Sequence, residues 1–205
     1  MTGTFPQAWE ETAIITIQKL AGTAYEFGAL IETVDLPEGD YPGESVPNLA
    51  GGRIWKQSPQ EDGEITIEFY AVGLDTTASQ GLFQEFNGGT VDSSQPLSTD
   101  TSWGAGIQRT RDRFMFAIMW TDDVAQTGAN DATTTADATA IRFHAKECRI
   151  VSHKASFTDG ILKMSVTFKY PALNQAGTTK CAMWESTNDG DGASALPALT
   201  YSAAL

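Results

Sequence analysis

The sequence predicts a mostly β fold, a sandwich or barrel-like domain with one short flanking α-helix, and three observations carry that prediction. Residues 63–72 alternate strictly, with Ile65, Ile67, Phe69 and Ala71 on one face and Glu64, Thr66, Glu68 and Tyr70 on the other. Residues 161–170 do the same, setting Leu162, Met164, Val166, Phe168 and Tyr170 against Lys163, Ser165, Thr167 and Lys169. A period of two puts one face in a core and the other in water. Only one segment, 77–87, has helical spacing, so the expected order is strands, one helix, then strands again.

Residues 12–20 are rich in β-branched side chains and read as the first strand. Residues 24–35 form a second extended segment, with Phe27, Ala29 and Ile31 on one face and Glu26 and Glu32 on the other. Residues 36–52 hold Pro37, Gly39, Pro42, Gly43, Pro47, Gly51 and Gly52. That density excludes regular structure and predicts one long loop, functional or disordered. Residues 53–57 read as a short strand. In the helix, Thr77 and Gln80 have capping-box spacing, Leu82, Phe83 and Phe86 form the apolar stripe, and Gly88 supplies the stop.

Residues 88–108 read as loop. The run Phe114 to Trp120 has the length and apolarity of a strand buried on both faces. Residues 121–139, low-complexity Asp, Ala, Thr, Gly and Asn, predict an exposed excursion. Residues 140–157 resume as strand, bent or hairpinned near Val151–His153. Pro171 ends the strand 161–170 because it cannot donate to the ladder. Residues 178–186 make a last strand, and 187–205 read as an arm outside the core. The 205 residues together read as a single domain.

Twenty-six acids against 13 bases give a net charge of −13, with 41% hydrophobic and 19% charged residues. That composition is globular. The acidity argues against a protein that grips nucleic acid through a basic patch and is compatible with one that lets nucleic acid pass without adhesion, although by itself it reads first as solubility or a saline habitat. Cys148 and Cys181 are too few for a disulfide scaffold. The first residues lack the basic and apolar blocks of a signal peptide, and no apolar run approaches the ~20 residues of a membrane helix. Synthesis in a cytoplasm and no membrane partner are expected.

Chemistry-bearing constellations are weak. His144, Cys148 and His153 are spaced too loosely for zinc, and on a regular strand 144 and 148 share a face that 153 does not. Asn188–Gly192 resembles a calcium loop, but Ala198 stands where the bidentate glutamate belongs. Gly104-x-Gly106 lacks its third glycine, and no nucleophile elbow occurs. The acid pairs Glu10/Glu11, Glu61/Asp62 and Asp122/Asp123 lie in turn-like contexts. No catalytic residue, metal or cofactor is expected, and the chain reads as no enzyme. Trp9, Trp55, Trp103, Trp120 and Trp184 are either a sugar-binding face or anchors of core and interface. Their scattered spacing favours anchors.

One block is distinctive. Tyr25–Asp35 leads through the Pro/Gly loop to Gly51–Pro59, then Asp62–Tyr70 and the helix, and Leu162–Asn174 completes the set. Over residues 24–90 and 138–186 the pattern resembles the major tail (tail tube) proteins of tailed phages and archaeal tailed viruses. The resemblance implies a structural virion protein of the tail. Homo-hexameric rings stack into a tube that conducts the genome, meeting tape-measure, tail terminator and baseplate proteins and passing genomic DNA without specific binding. It implies a lumen lined by Glu64, Thr66, Glu68, Lys163, Ser165, Thr167 and Lys169, acidic overall with its lysines paired. It places inter-subunit and inter-ring contacts at Pro37, Glu38, Asp40, Tyr41, Glu44, Val46, Arg53 and Trp55. The alternative is a carbohydrate- or receptor-binding β-sandwich module of a virion or cell surface.

Overall fold

The computed structural model describes residues 13–22, 24–27, 31–36, 38–70, 86, 112–121, 123, 125–133, 140–158, 160–187 and 195–205. Among them ten strands form: β1 (Ala13–Lys19), β2 (Ala24–Phe27), β3 (Ile31–Asp35), β4 (Gly43–Pro47), β5 (Arg53–Gln57), β6 (Gly63–Tyr70), β7 (Phe114–Thr121), β8 (Ala140–Thr158), β9 (Ile161–Tyr170) and β10 (Ala182–Thr187). Eight belong to one antiparallel sheet, in the order β2-β1-β7-β8-β9-β6-β3, with β10 also on β8. The hairpin β4–β5 stands apart. The mostly β class is as expected.

The 19-residue strand β8 organises the domain. Its first half pairs with β7 on one edge and β10 on the other, and its second half pairs with β9. It is one strand rather than a hairpin, and it bends at two bulges. Phe114 faces Cys148 while Phe116 faces Ala145, so β8 carries an extra residue there. Val151 is the extra residue at the second bulge, between the partners of Phe168 and Thr167. Each bulge reverses which face the following side chains occupy. Phe143 and Ala145 therefore share their core with Cys148. The expectation that 144 and 148 lie on one face fails for this reason.

The bends let both halves of the sheet contribute to one core. Ile15 and Ile17 of β1, Ile65, Ile67 and Phe69 of β6, Phe116 and Ile118 of β7, and Val166 and Phe168 of β9 all lie in it. Each such side chain contributes roughly 1.5–3 kcal/mol. Phe86, the described residue of the expected helix, is helical and buried edge-on to Phe114 and Phe168, with centroids at 5.6 and 5.8 Å. The rest of segment 77–87 and the loop 88–108 lie outside the described residues. The extended segment 24–35 divides: β2 pairs with β1, and β3 with β6 across the domain.

A second core covers the opposite face of β1, β7 and β8 and corrects two expectations. Ala129, from the supposed exposed excursion, and Leu196, Leu199 and Tyr201, from the supposed arm, pack there on Ile14, Met115, Ala117 and Met119. Two charged residues of β8 hold these segments. Arg142 is fully buried. It donates to Pro197 O (2.8 Å), Asp131 O (3.1 Å) and Ala129 O (3.4 Å) and pairs with Glu185 Oε2 at 2.7 Å. Glu147 sits in the first bulge at φ 63°, a strained conformation for a side-chain-bearing residue. Its carboxylate accepts from Arg113 Nη1 (2.6 Å), Tyr201 Oη (3.0 Å) and Leu205 N (2.9 Å). Low composition complexity hid the packing because the groups Arg142 meets are backbone carbonyls, and the strand that supplies the donor is remote in sequence.

Replacing Arg142 by alanine strands those carbonyls and the Glu185 carboxylate, so Arg142→Ala should lose about 3–5 kcal/mol of stability in urea unfolding. Residues 195–205 should become protease-sensitive first. A second test concerns His144. Burial pushes its imidazole below the ordinary range, against the pull of Glu185, while Lys146 and Arg142 push the same way as burial. The unfolded chain therefore takes up this proton first, near pH 6.5, and stability present above that pH is lost as pH falls through it. His144→Gln should flatten the fall in unfolding free energy between pH 7 and pH 5.

Candidate assembly interface

The alternation in β6 and β9 becomes a paired surface through register. Glu64 lies opposite Lys169, Thr66 opposite Thr167, Glu68 opposite Ser165 and Tyr70 opposite Lys163. Their inward neighbours Ile65, Ile67, Met164, Val166 and Phe168 are buried, which fixes the polar side chains outward. Lys169 Nζ reaches Glu64 Oε2 at 3.5 Å, the Thr66 and Thr167 hydroxyls are 3.1 Å apart, and Lys163 Nζ stands 5.4 Å from the Tyr70 ring centre. All seven residues expected on one polar face are brought together on it. Gly63 is required at the end of this ladder, because a Cβ there would collide with the Tyr170 ring lying over it.

Two further strands extend that face. β3 adds Thr33 and Asp35 beside Glu68 and Thr66, and β8 adds Arg149, Ser152 and Lys154 beside Lys169, Thr167 and Ser165. The charges then sort across the sheet. Asp35, Glu64 and Glu68 lie on the β3–β6 side, and Lys163, Lys169, Arg149 and Lys154 on the β9–β8 side. Among the described residues, three acids stand with four bases on this face. The residues of β8 that supply the extra bases are assigned to this face by the second bulge, which no alternation pattern reveals.

Both edges of this four-stranded band are open among the described residues. β3 pairs only with β6, and residues 149–158 of β8 pair only with β9. The β8 edge exposes Val151 and Phe157. An open edge with apolar side chains is a template for another chain.

The stretch expected to lack regular structure is a hairpin. β4 and β5 pair from Gly43↔Gln57 to Pro47↔Arg53, and every residue of both is exposed. Proline and glycine are tolerated because they fall at the strand ends, and the Trp55 ring lies on Gly43, where a Cβ would collide with it. Asn48 shapes the tip, its Oδ1 accepting from Gly52 N (2.8 Å) and Ala50 N (3.1 Å). Glu61 N donates to Asp40 O and Ser58 N to Pro42 O, so the ladder continues to the base. Of the residues expected at contacts, Glu38, Asp40, Tyr41, Glu44, Val46, Arg53 and Trp55 are all exposed, and Pro37 lies outside the described residues. Tyr41 Oη donates to Gln60, Arg53 Nε to Ser45 Oγ, and Glu38 accepts from Trp184 Nε1 at 2.9 Å.

A cleft of about 270 Å³ opens beneath the hairpin base, between Glu38 and Gln60 on one side and Phe143, Tyr170 and Trp184 on the other. Trp184 stacks on Trp120 with centroids 5.9 Å apart. Sequence reasoning missed this site, which four separated segments build. Trp103 lies outside the described residues, and Trp55 and Trp184, both exposed, belong to separate elements. Among the described residues no three His, Cys, Asp or Glu side chains are grouped to hold a metal. Burial raises the thiols of Cys148 and Cys181, which makes both poor nucleophiles.

No family model matches the chain, and no curated protein matches it. Among solved structures, it is similar to a chain of the PVC extracellular contractile injection system sheath–tube complex in the extended state, at 10% identity and TM-score 0.48 over 84% of this chain and 88% of that one. It is similar to a chain of the sheath/tube terminator of the same system, at 8% identity and TM-score 0.44 over 83% and 92%. A chain of the six-fold symmetrised anti-feeding prophage baseplate gives 7% identity and TM-score 0.44 over 86% and 93%.

Glu64 and Lys169 keep 43% and 50% of their side chains exposed, where ion pairs are worth little. A double-mutant cycle with Glu64→Gln and Lys169→Met should yield a coupling of at most about 0.5 kcal/mol, read from unfolding in urea.

Proposed function

We propose that the protein is a structural subunit of a tail-like tube, its copies closing into rings that stack into a conduit for nucleic acid. One observation carries the reading: a four-stranded band with a buried face, a wet face and two open edges of opposite charge. Joining the β3 edge of one copy to the β8 edge of the next continues the sheet, sets Asp35 near Arg149 and Lys154, and removes both edges. The resemblance to tail-tube proteins implies six copies. Four strands from each make a closed sheet of about 24 strands, wider than the ~16–18-stranded barrels that already enclose an aqueous channel.

The wet face then lines the channel. Glu64, Thr66, Glu68, Lys163, Ser165, Thr167 and Lys169 face the lumen, where the acidic strands of one copy alternate with the basic strands of the next around the ring. Such a lining offers passing DNA no continuous basic track, and phosphate contacts supply most non-specific affinity. The hairpin reaches beyond the ring it belongs to. Tape-measure, terminator and baseplate proteins are the partners at the channel and tube ends, the virion tail is the location, and the chain performs no catalysis.

Purified protein viewed by negative-stain microscopy over a range of concentrations should show rings or tubes. A compact monomer under every condition would overturn the reading. Arg149→Glu with Lys154→Glu should reduce assembly, and adding Asp35→Lys should restore it. Restoration fails if the two edges do not meet.

A further inference from the structure

The hairpin tip holds a leucine that no described residue of its own chain covers. Leu49 is fully exposed, at 111% of the reference surface, yet its turn is ordered by three bonds to Asn48: from Gly52 N, Ala50 N and Gly51 N. A stiff turn presenting a bare leucine is built for a pocket.

Exposed large apolar side chains among the described residues fall into few places. One is the hairpin with its base, from Tyr41 to Trp55. A second is the β8 edge, with Val151 and Phe157. A third is the cleft itself, with Met183 and Trp184, and Leu173 next to the cleft-lining Ala172 in sequence. Leu205, at the chain's last residue, is the remaining one. The β8 edge is taken up in ring closure, which leaves the hairpin and the cleft.

They cannot meet within one molecule. The cleft opens at the hairpin base, against Glu38 and Gln60. From there the antiparallel ladder runs through Asp40–Glu61, Pro42–Ser58 and β4–β5 to the tip. At ~3.3 Å per residue that ladder holds Leu49 about 30 Å from its own cleft. Charge favours a second copy. Arg53 and Lys56 outnumber Glu44 on β4–β5, whereas Glu38 in the cleft and Asp62 beside it outnumber Lys180. Asp62 lies close enough to Cys181, next to the cleft-lining Lys180 and Ala182, to act on its thiol.

We propose that Leu49, at the hairpin tip of one copy, inserts into the cleft formed by Phe143, Tyr170 and Trp184 of another copy. Every copy carries one tip and one cleft, so the contact is head-to-tail and propagates, as in open or ring assemblies. The hydrogen bond from Trp184 to Glu38 ties the hairpin base to the opposite wall of the cleft. The proposal rests on the assembly reading above and adds to it the partner surface of the hairpin.

The test places benzoylphenylalanine at position 49 of the full-length chain, with isotope-labelled and unlabelled copies mixed before assembly. Irradiated particles should yield crosslinked peptides joining position 49 of one copy to residues 170–184 of another. Particles that form but crosslink elsewhere, or only within one copy, overturn the docking and leave the tube reading intact. If the unaltered protein forms no particle, the tube reading fails and takes this docking with it. Leu49→Asp should lower the assembled fraction about ten- to a hundredfold, the value of one buried leucine, and Leu49→Met should restore most of it. The monomer's circular dichroism and melting temperature should not change. Wild-type assembly by Leu49→Asp also overturns the docking.

Discussion

A nineteen-residue strand that serves two halves of a sheet must change direction, and in this protein the change is made at Glu147. The residue adopts a left-handed backbone that a glycine would take without strain. It is held there by Arg113, Tyr201 and the Leu205 amide, which its carboxylate binds together. A carboxylate in that position accomplishes what glycine could not. It converts a local irregularity into the anchor for the last residues of the chain. Five residues earlier, the buried Arg142 does the same for the segments at 129–131 and 197. The bend, the second core and the covering of β7 on its other face therefore depend on one another.

The bend also decides what the outer surface is. Because each bulge reverses the facing of β8, the strand delivers Phe143, Ala145, Cys148 and Ile150 to the core and then presents Arg149, Ser152 and Lys154 beside β9. Without the extra Val151, the residues after it would exchange faces, burying Lys154 against Met164 and Val166. The paired wet face and the basic edge thus follow from the register of one strand, not from local composition.

This explains which parts of the fold were legible. Strands whose faces alternate without interruption, such as β6 and β9, declare their core and wet sides, and the continuous apolarity of β7 declares burial on both. The opposition of Glu64 to Lys169 was open to inference once both strands were known to be neighbours. Of the hairpin, only the arm Arg53–Gln57 was legible; the arm Gly43–Pro47 was not, because Pro47 and Gly43 count against a strand unless they fall at its ends, and its residues are all exposed, so no burial period marks it. The packing of Ala129, Leu196 and Tyr201 was hidden for a different reason. The bonds that hold these segments run from Arg142 to backbone carbonyls and from the Tyr201 hydroxyl and Leu205 amide to Glu147, and such bonds leave no periodic trace. A charged residue flanked by apolar neighbours, as Arg142 between Ile141 and Phe143, was the available signal.

Stability and assembly draw on different residues here. The buried faces of β6, β7 and β9 hold the fold, whereas the polar pairs on the wet face are exposed enough to add little to it. The hairpin adds still less: a two-stranded ribbon is marginal in isolation, and this one buries no side chain on the body. Yet it is stiffened at three points, by the Asn48 turn, by the Trp55 ring on Gly43 and by Tyr41 on Gln60. Order of that kind does nothing for a monomer. It lowers the entropy lost when the ribbon meets a partner, since a segment already held in its bound shape has less freedom to give up. The same reasoning applies to the open edges of the four-stranded band, which are a liability to a solitary chain and the means of closure for a ring.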